Sequence, residues 1–210
     1  MRVVDLAKEL LAWAPGCPGL LARRELVRSA QRFCRATHAV TRPSGDFVLA
    51  AGIGEVSLLD YTPSGEVPLR AVDLRIEGLP AMQTTESAIA TDWRRPTDFV
   101  SGRSPSFLML GETALRVYPY SDISQTLSFR LATMPSDKAT TLADDLAVEW
   151  REAILGGALQ RICVVPGQPY TSSDHASMGA SWFATGVNLA KIEVNRSHGA
   201  AVRVTMRPFA

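Results

Sequence analysis

Hydrophobic positions in the first forty residues recur at helical spacing. Val4, Leu6, Leu10, Leu11 and Trp13 predict a short helix over 4–13, which Pro15-Gly16 breaks. A second helix is predicted from near Pro18, a residue suited to a first helical turn, to about Thr37. Its Leu26, Ala30, Phe33, Cys34 and Thr37 share one face, whereas Arg24, Glu25, Arg28, Gln31, Arg32 and Arg35 form the opposite one. That contrast predicts an amphipathic helix packed against a single partner surface.

From Pro43 to about Pro135 the period changes from helical to alternating. Glycine and proline punctuate short runs rich in Val, Leu, Ile, Phe and Tyr, which predict strands at 47–51, 55–59, 69–77, 106–110, 114–118 and 126–132. In Val72-Asp73-Leu74-Arg75-Ile76 the apolar residues point one way and the charged ones the other. Gly111-Glu112-Thr113 predicts a tight hairpin, Thr84–Trp93 one or two helical turns, and Ser121–Gln125 a turn before a strand.

Helical spacing returns after Thr141. Asp144 or Asp145 is expected to cap a helix whose stripe runs through Leu146, Trp150, Ala153, Ile154, Gly157, Ala158 and Ile162. Gly156 and Gly157 in mid-helix each cost about 1 kcal/mol relative to alanine, so their presence predicts the close approach of another helix. Val165-Pro166-Gly167-Gln168-Pro169 is a sharp stop. A further helix follows to about Ser197, with Ala176, Ala180, Phe183, Val187, Ala190 and Val194 on one face, making an antiparallel hairpin. Beyond His198-Gly199, Val202, Val204 and Met206 alternate with Arg203, Thr205 and Arg207. An isolated strand leaves its backbone unpaired and needs a sheet edge from elsewhere.

These patterns predict an α+β protein: an antiparallel bundle of about four helices from residues 1–42 and 136–198, a small antiparallel β domain inserted at 43–135, and an extended C-terminal arm at 199–210. The expected scaffold core is Leu26, Ala30, Phe33, Trp150, Ile154, Gly157, Ala158, Phe183 and Val187.

Composition narrows the function. With 22 basic against 21 acidic residues the formal charge is +1, which lacks the basic surplus of a protein that grips nucleic acid by its phosphates. No apolar run reaches membrane-spanning length, and Asp5, Lys8 and Glu9 interrupt the amino-terminal one, so no membrane partner and synthesis in a cytosol are expected. Cys17, Cys34 and Cys163, odd in number and far apart, read as buried free thiols. No Gly-x-Ser-x-Gly elbow, dinucleotide fingerprint or phosphate-loop lysine occurs, and His38, His175 and His198 are scattered. Asp145, Glu149, Glu152 and His175 are the residues from which a metal-assisted hydrolase would be built, but without a Glu-x-x-His pair the carboxylates read as a solvated helix face. The chain reads as an interaction protein, with neither catalytic residues nor a cofactor expected.

Three stretches resemble the head-to-tail adaptor, or connector, proteins of tailed bacteriophages, the group that includes podophage tail-tubular-type proteins. The first is the Pro15-Gly16-Cys17-Pro18 turn with its following helix ending in Phe33-Cys34. The second runs from a strand bearing Tyr118-Pro119 through Pro135-Ser136 to a helix with Ile154, Gly157, Ala158 and Leu159. It continues through Pro166-Gly167-Gln168-Pro169-Tyr170 to a helix centred on Phe183. The third is the tail ending in Arg207-Pro208-Phe209. The family's second turn usually carries Trp where Tyr170 stands, and residues 43–113 match loosely. The resemblance implies a virion protein at the head–tail junction, forming a ring of about twelve copies with heterologous interfaces between portal and tail or nozzle, with DNA traversing the lumen. It also implies a portal-docking arm of Val202, Arg203, Val204, Thr205, Met206, Arg207, Pro208 and Phe209, and partners among the portal, tail tube, nozzle and fibre proteins. A tail-completion or tail-terminator ring is the alternative expectation within the virion.

Overall fold

Four α-helices and nine strands are present among residues 1–85, 105–118 and 123–197, which the computed structural model describes. Helices α1 (Val3–Trp13) and α2 (Gly19–Thr37) lead into strands β1 (Thr41–Pro43), β2 (Phe47–Leu49), β3 (Glu55–Ser57), β4 (Glu66–Ile76), β5 (Leu79–Pro80) and β6 (Met82–Gln83). Strands β7 (Ser106–Leu110), β8 (Ala114–Tyr118) and β9 (Gln125–Pro135) follow, then a π-helical turn (Asp145–Glu149), α3 (Arg151–Cys163) and α4 (Ser173–Ser197).

The strands form two sheets. In one, β4 and β9, eleven residues each, pair antiparallel at the centre, with β1 and β2 beside β9 and β5 beside β4. In the other the order is β3-β8-β7-β6, antiparallel except for the β6–β7 pair. A shared core joins the sheets: Leu74, Ile76, Leu127 and Leu131 of the first are buried with Phe107, Leu115 and Val117 of the second. The β region is therefore a two-layer body with its own hydrophobic core.

This overturns the expected fold class of a helical bundle with a small β insertion. The protein is a mixed α+β structure in which two multi-strand sheets stand beside the helices as a full partner. Short strands understated the β content, because β1, β5 and β6 have two or three residues each and too little sequence to show alternation. The long β4–β9 pair also reaches into the helical layer: Leu69, Ala132 and Met134 are buried among α1, α2 and α3 residues.

Two details of β4 depart from simple alternation. Register shifts fall between Pro68 and Arg70 and between Val72 and Arg75, and Asp73 adopts a left-handed φ of 50°. The second bulge changes the phase of the strand, so Ala71 and Leu74 are both buried while Val72 is only half-buried. Glu77 (φ 50°) and Gly78 (φ 77°) then make a two-residue turn, the left-handed geometry that suits the twist of paired strands, and Ile76 faces Leu79 across it.

The predicted β7–β8 hairpin is present, with Leu110 opposite Ala114. Thr84 and Thr85 are not helical; the rest of the helical turn expected at 84–93, and the tail from His198 onward, lie outside the described residues.

Candidate functional site

The helical layer is built around α2. Leu26, Ala30, Phe33 and Cys34 are fully buried, as is Thr37, whose hydroxyl donates to the Phe33 carbonyl at 2.8 Å. Phe33 is the hub: its ring lies 5.4 Å from that of half-buried Trp150 and 6.3 Å from that of half-buried Phe183, edge-on to the latter. Ile154, Gly157 and Ala158 of α3 are buried in the same core, and half-buried Val187 packs against it. Leu26, Ala30, Ile154 and Ala158 thus belong to the same buried cluster as Phe33.

Helices α3 and α4 approach to backbone contact. A Cβ on Gly156 would stand 2.7 Å from the Gly179 carbonyl oxygen and 2.7 Å from the Trp182 Cβ, and one on Gly179 would stand 2.9 Å from the Gln160 nitrogen. A Cβ on Gly157 would strike Ser29 and the Phe183 ring, and one on Gly186 would strike Ala153. Four glycines on facing sides thus remove the side chains that would hold the helices apart. The turns at the ends of the two helix pairs also meet. Gly16, at φ 84°, leaves room for Pro169, whose ring carbon would be 3.0 Å from any Cβ there. Tyr170 is buried beside them.

One charged residue of α2 does not lie on an open face. Glu25 is only 4% exposed. Its carboxylate accepts from Arg161 Nε at 2.7 Å and from Arg28 Nη1 at 2.9 Å. Burial alone would raise its pKa, but the Arg161 hydrogen bond and the Arg161 and Arg28 charges outweigh burial and hold it below the ordinary value. Helical spacing assigns Glu25 to the charged face; its burial depends on Arg161, which is 136 positions away. A second polar cluster ties sheet to helices: Arg42 donates to Glu66 at 2.8 Å and lies 3.5 Å from Asp145, and the Thr133 hydroxyl donates to Glu66 at 2.5 Å.

The expected cap at Asp144 or Asp145 is not made. Neither side chain accepts a helix amide, and the segment begins with a π-helical turn that gives way to α3 at Arg151. Asp145 faces Arg42 instead.

The four candidate metal ligands go to different places. Asp145 pairs with Arg42, Glu149 lies beside Glu193, and the His175 ring stands edge-on to Trp13 at 5.9 Å. Glu152 is exposed on α3. Among the described residues no group of three or more His, Cys, Asp and Glu side chains is placed to hold a metal. Cys17, Cys34 and Cys163 are buried free thiols, and burial pushes the Cys34 thiol up to about 12. The helices of the described residues include none long and apolar enough to cross a membrane.

Two outward surfaces carry exposed apolar side chains. One is a groove of about 540 Å³ between α1, the start of α2 and the 137–140 loop. Val3, Val4, Leu21 and Val27 line it, and Leu20 stands at its lip 79% exposed. Arg23, Arg24 and Lys138 rim it, all exposed. The other is a stripe along α4: Trp182, stacked edge-on against Trp13 at 5.7 Å, then Leu189 and Ile192, 55% and 49% exposed. Exposed Val148 stands on the neighbouring π-turn, and a cleft beside the stripe is lined by Glu149 and Glu152.

Residues Val202 to Phe209, the expected docking arm, lie outside the described residues. Sequence periodicity found the helical core but not these surfaces, because an exposed apolar residue on a helix is visible only once its neighbours are placed. No protein-family model matches the chain, and no curated protein matches it.

Proposed function

We propose that this protein is a structural virion component, a head-to-tail adaptor that assembles as a ring of about twelve copies between a phage portal and the tail or nozzle, with DNA passing through the lumen. The observation that carries the reading is the contact between the two turns on which the resemblance rests. Pro15-Gly16-Cys17-Pro18 and Pro166-Gly167-Gln168-Pro169-Tyr170, about 150 residues apart, pack on each other through Gly16 and Pro169. Motifs that the resemblance joins only by order along the chain are neighbours in space, as parts of one scaffold must be.

Further support comes from where the exposed apolar surface lies. Adjacent copies in a ring bury two different patches of the same chain, and the helical layer offers a groove and a stripe. A formal charge of +1 suits a conduit, since strong phosphate attraction would retard DNA passage. The arm at 199–210 is assigned to the portal, where its alternating Val202, Val204 and Met206 would add a strand to a portal edge.

The test is co-expression with the portal protein of the same genome. The full chain is expected to co-purify with the portal as a ring visible by electron microscopy. The chain lacking residues 200–210 is expected to keep its thermal unfolding midpoint and lose portal binding. A full-length, folded protein that fails to bind the portal would overturn the adaptor reading, and a truncated one that still binds would overturn the role of the arm.

A further inference from the structure

The two apolar surfaces of the helical layer are complementary in charge as well as different in shape. The groove has an apolar floor and a basic rim of Arg23, Arg24 and Lys138; of these, Arg24 lies 3.4 Å from Glu25, and neither Arg23 nor Lys138 joins an ion pair among the described residues. The one acidic residue of the lining, Asp137, already accepts from Gln31 at 2.8 Å. The stripe on α4 has the opposite sign beside it. Glu149 and Glu152 line the adjoining cleft, and Glu193 follows Ile192 on the same helix. Of the cations near the stripe, Arg151 is engaged by Glu9, Arg130 donates to the Thr41 hydroxyl, and Lys191 stands about 160° around α4 from Leu189.

The surfaces also lie on different sides of the molecule. Thirteen residues separate Leu20 from Phe33 on α2, which at 3.6 residues per turn sets their side chains about 140° apart. Phe33 faces Trp150 and Phe183, on the side of the layer where α4 runs, so Leu20 faces away from α4. A groove and a stripe so placed cannot meet within one chain, but they can meet between two.

We infer that the Leu20 groove of one copy receives the Trp182–Leu189–Ile192 stripe of a second copy, with Arg23 and Lys138 facing Glu149, Glu152 and Glu193. The partner is a second copy of this chain, because the same polypeptide supplies both an apolar surface with a basic rim and one with an acidic rim. The contact is heterologous, so a joined pair keeps one free groove and one free stripe, and repetition yields a closed ring or an open filament. The inference deepens the ring reading and rests on it for closure, while the contact itself rests on the two surfaces.

The test uses two full-length variants, Leu20→Glu and Leu189→Glu, each at a side chain more than half exposed and so expected to leave the fold intact. By analytical ultracentrifugation the wild-type chain is expected to associate beyond a dimer at high concentration. Each variant alone is expected to stay monomeric, with a dissociation constant raised at least about a hundredfold, because a carboxylate set against the apolar surface of the partner copy loses its water there. An equimolar mixture is expected to form dimers and stop there, since the Leu189→Glu chain still offers a groove and the Leu20→Glu chain still offers a stripe. That recovery would also show that both variants are folded.

A wild-type chain that stays monomeric at millimolar concentration would overturn the inference, as would variants that associate like wild type or a mixture that stays monomeric. Mixed dimers support the contact whether or not the portal binds. Failure of the adaptor reading would instead appear as absent portal binding with the contact intact.

Discussion

Arg161 Nε donates a 2.7 Å hydrogen bond to the buried Glu25 carboxylate, fastening α3 to α2 at a point where neither helix alone would place an ion. The pairing keeps Glu25 ionised in a site whose burial disfavours charge, and its pKa lies below the ordinary value in the folded protein. The stability it contributes is therefore fully present above the unfolded carboxyl value of 4.5 and is lost as pH falls through the depressed folded value. Urea unfolding of wild type and Glu25→Gln across this range should show a stability difference that is constant near neutrality and shrinks below about pH 4.5.

Removing the donor should be worse than removing the neighbouring one. Arg161→Ala leaves Glu25 buried with only the intrahelical Arg24 and Arg28 for support and unties the two helices. It is expected to cost about 1–2 kcal/mol, moderated because Arg161 itself is nearly half exposed. Arg28→Ala, which leaves the interhelical bond in place, is expected to cost less. Equal effects in denaturant titrations would mean that the contact between helices has no special weight.

The glycine contacts between α3 and α4 give a steric prediction. Gly156→Ala puts a methyl group 2.7 Å from the Gly179 carbonyl oxygen and must push the helices apart, at about 1–3 kcal/mol. Gly19→Ala, at the start of α2 with nothing within 4 Å, is expected to be within about 0.5 kcal/mol of wild type. Thermal melts of the two variants separate close packing from the intrinsic helix preference for alanine, which would favour both substitutions.

All three cysteines should be inert in the native protein. Burial raises the thiol pKa at Cys17, Cys34 and Cys163, to about 12 at Cys34, and the thiolate is the reactive species. A disulfide reagent at about pH 8 is expected to find no rapidly reacting thiol in the folded chain. In denaturant it should titrate all three.

Glu149 should lose its proton under the influence of the neighbouring Glu193 charge. Partial burial first, then the like charges of Glu193 and Asp145, raise the Glu149 pKa above its ordinary value. A raised carboxyl pKa means that the folded state holds its proton longer, so this site favours folding below its folded pKa and loses that advantage as pH rises through it. Glu193→Gln should bring the Glu149 midpoint down in a carboxyl-carbon NMR titration. An unchanged midpoint would show that the two side chains do not sense each other.

Much of the helical layer was determined by the sequence itself. The burial of Leu26, Ala30, Phe33 and Cys34 follows from their spacing, because a helix turns at a rate that its own residues set. Gly156 and Gly157 announced a close neighbour in the same way, since a helix interior keeps glycine at a cost only where space requires it. The β7–β8 hairpin was equally local, with its turn between the strands it joins.

The rest was decided by tertiary structure, for the reason that a partner distant along the chain is not written in a residue's neighbours. β4 and β9 are separate runs in the sequence, and only their pairing, with β1, β2 and β5 added at the edges, makes a sheet too large for a small insertion. The left-handed Asp73 bulge changes which residues of β4 face inward, so alternation placed Val72 inside where Ala71 belongs. Glu25 reads as solvated until Arg161 arrives from α3. Leu20 and Leu189 read as ordinary helix residues until the fold leaves both uncovered. Periodicity states which residues seek burial, and only the assembled chain shows which are still exposed.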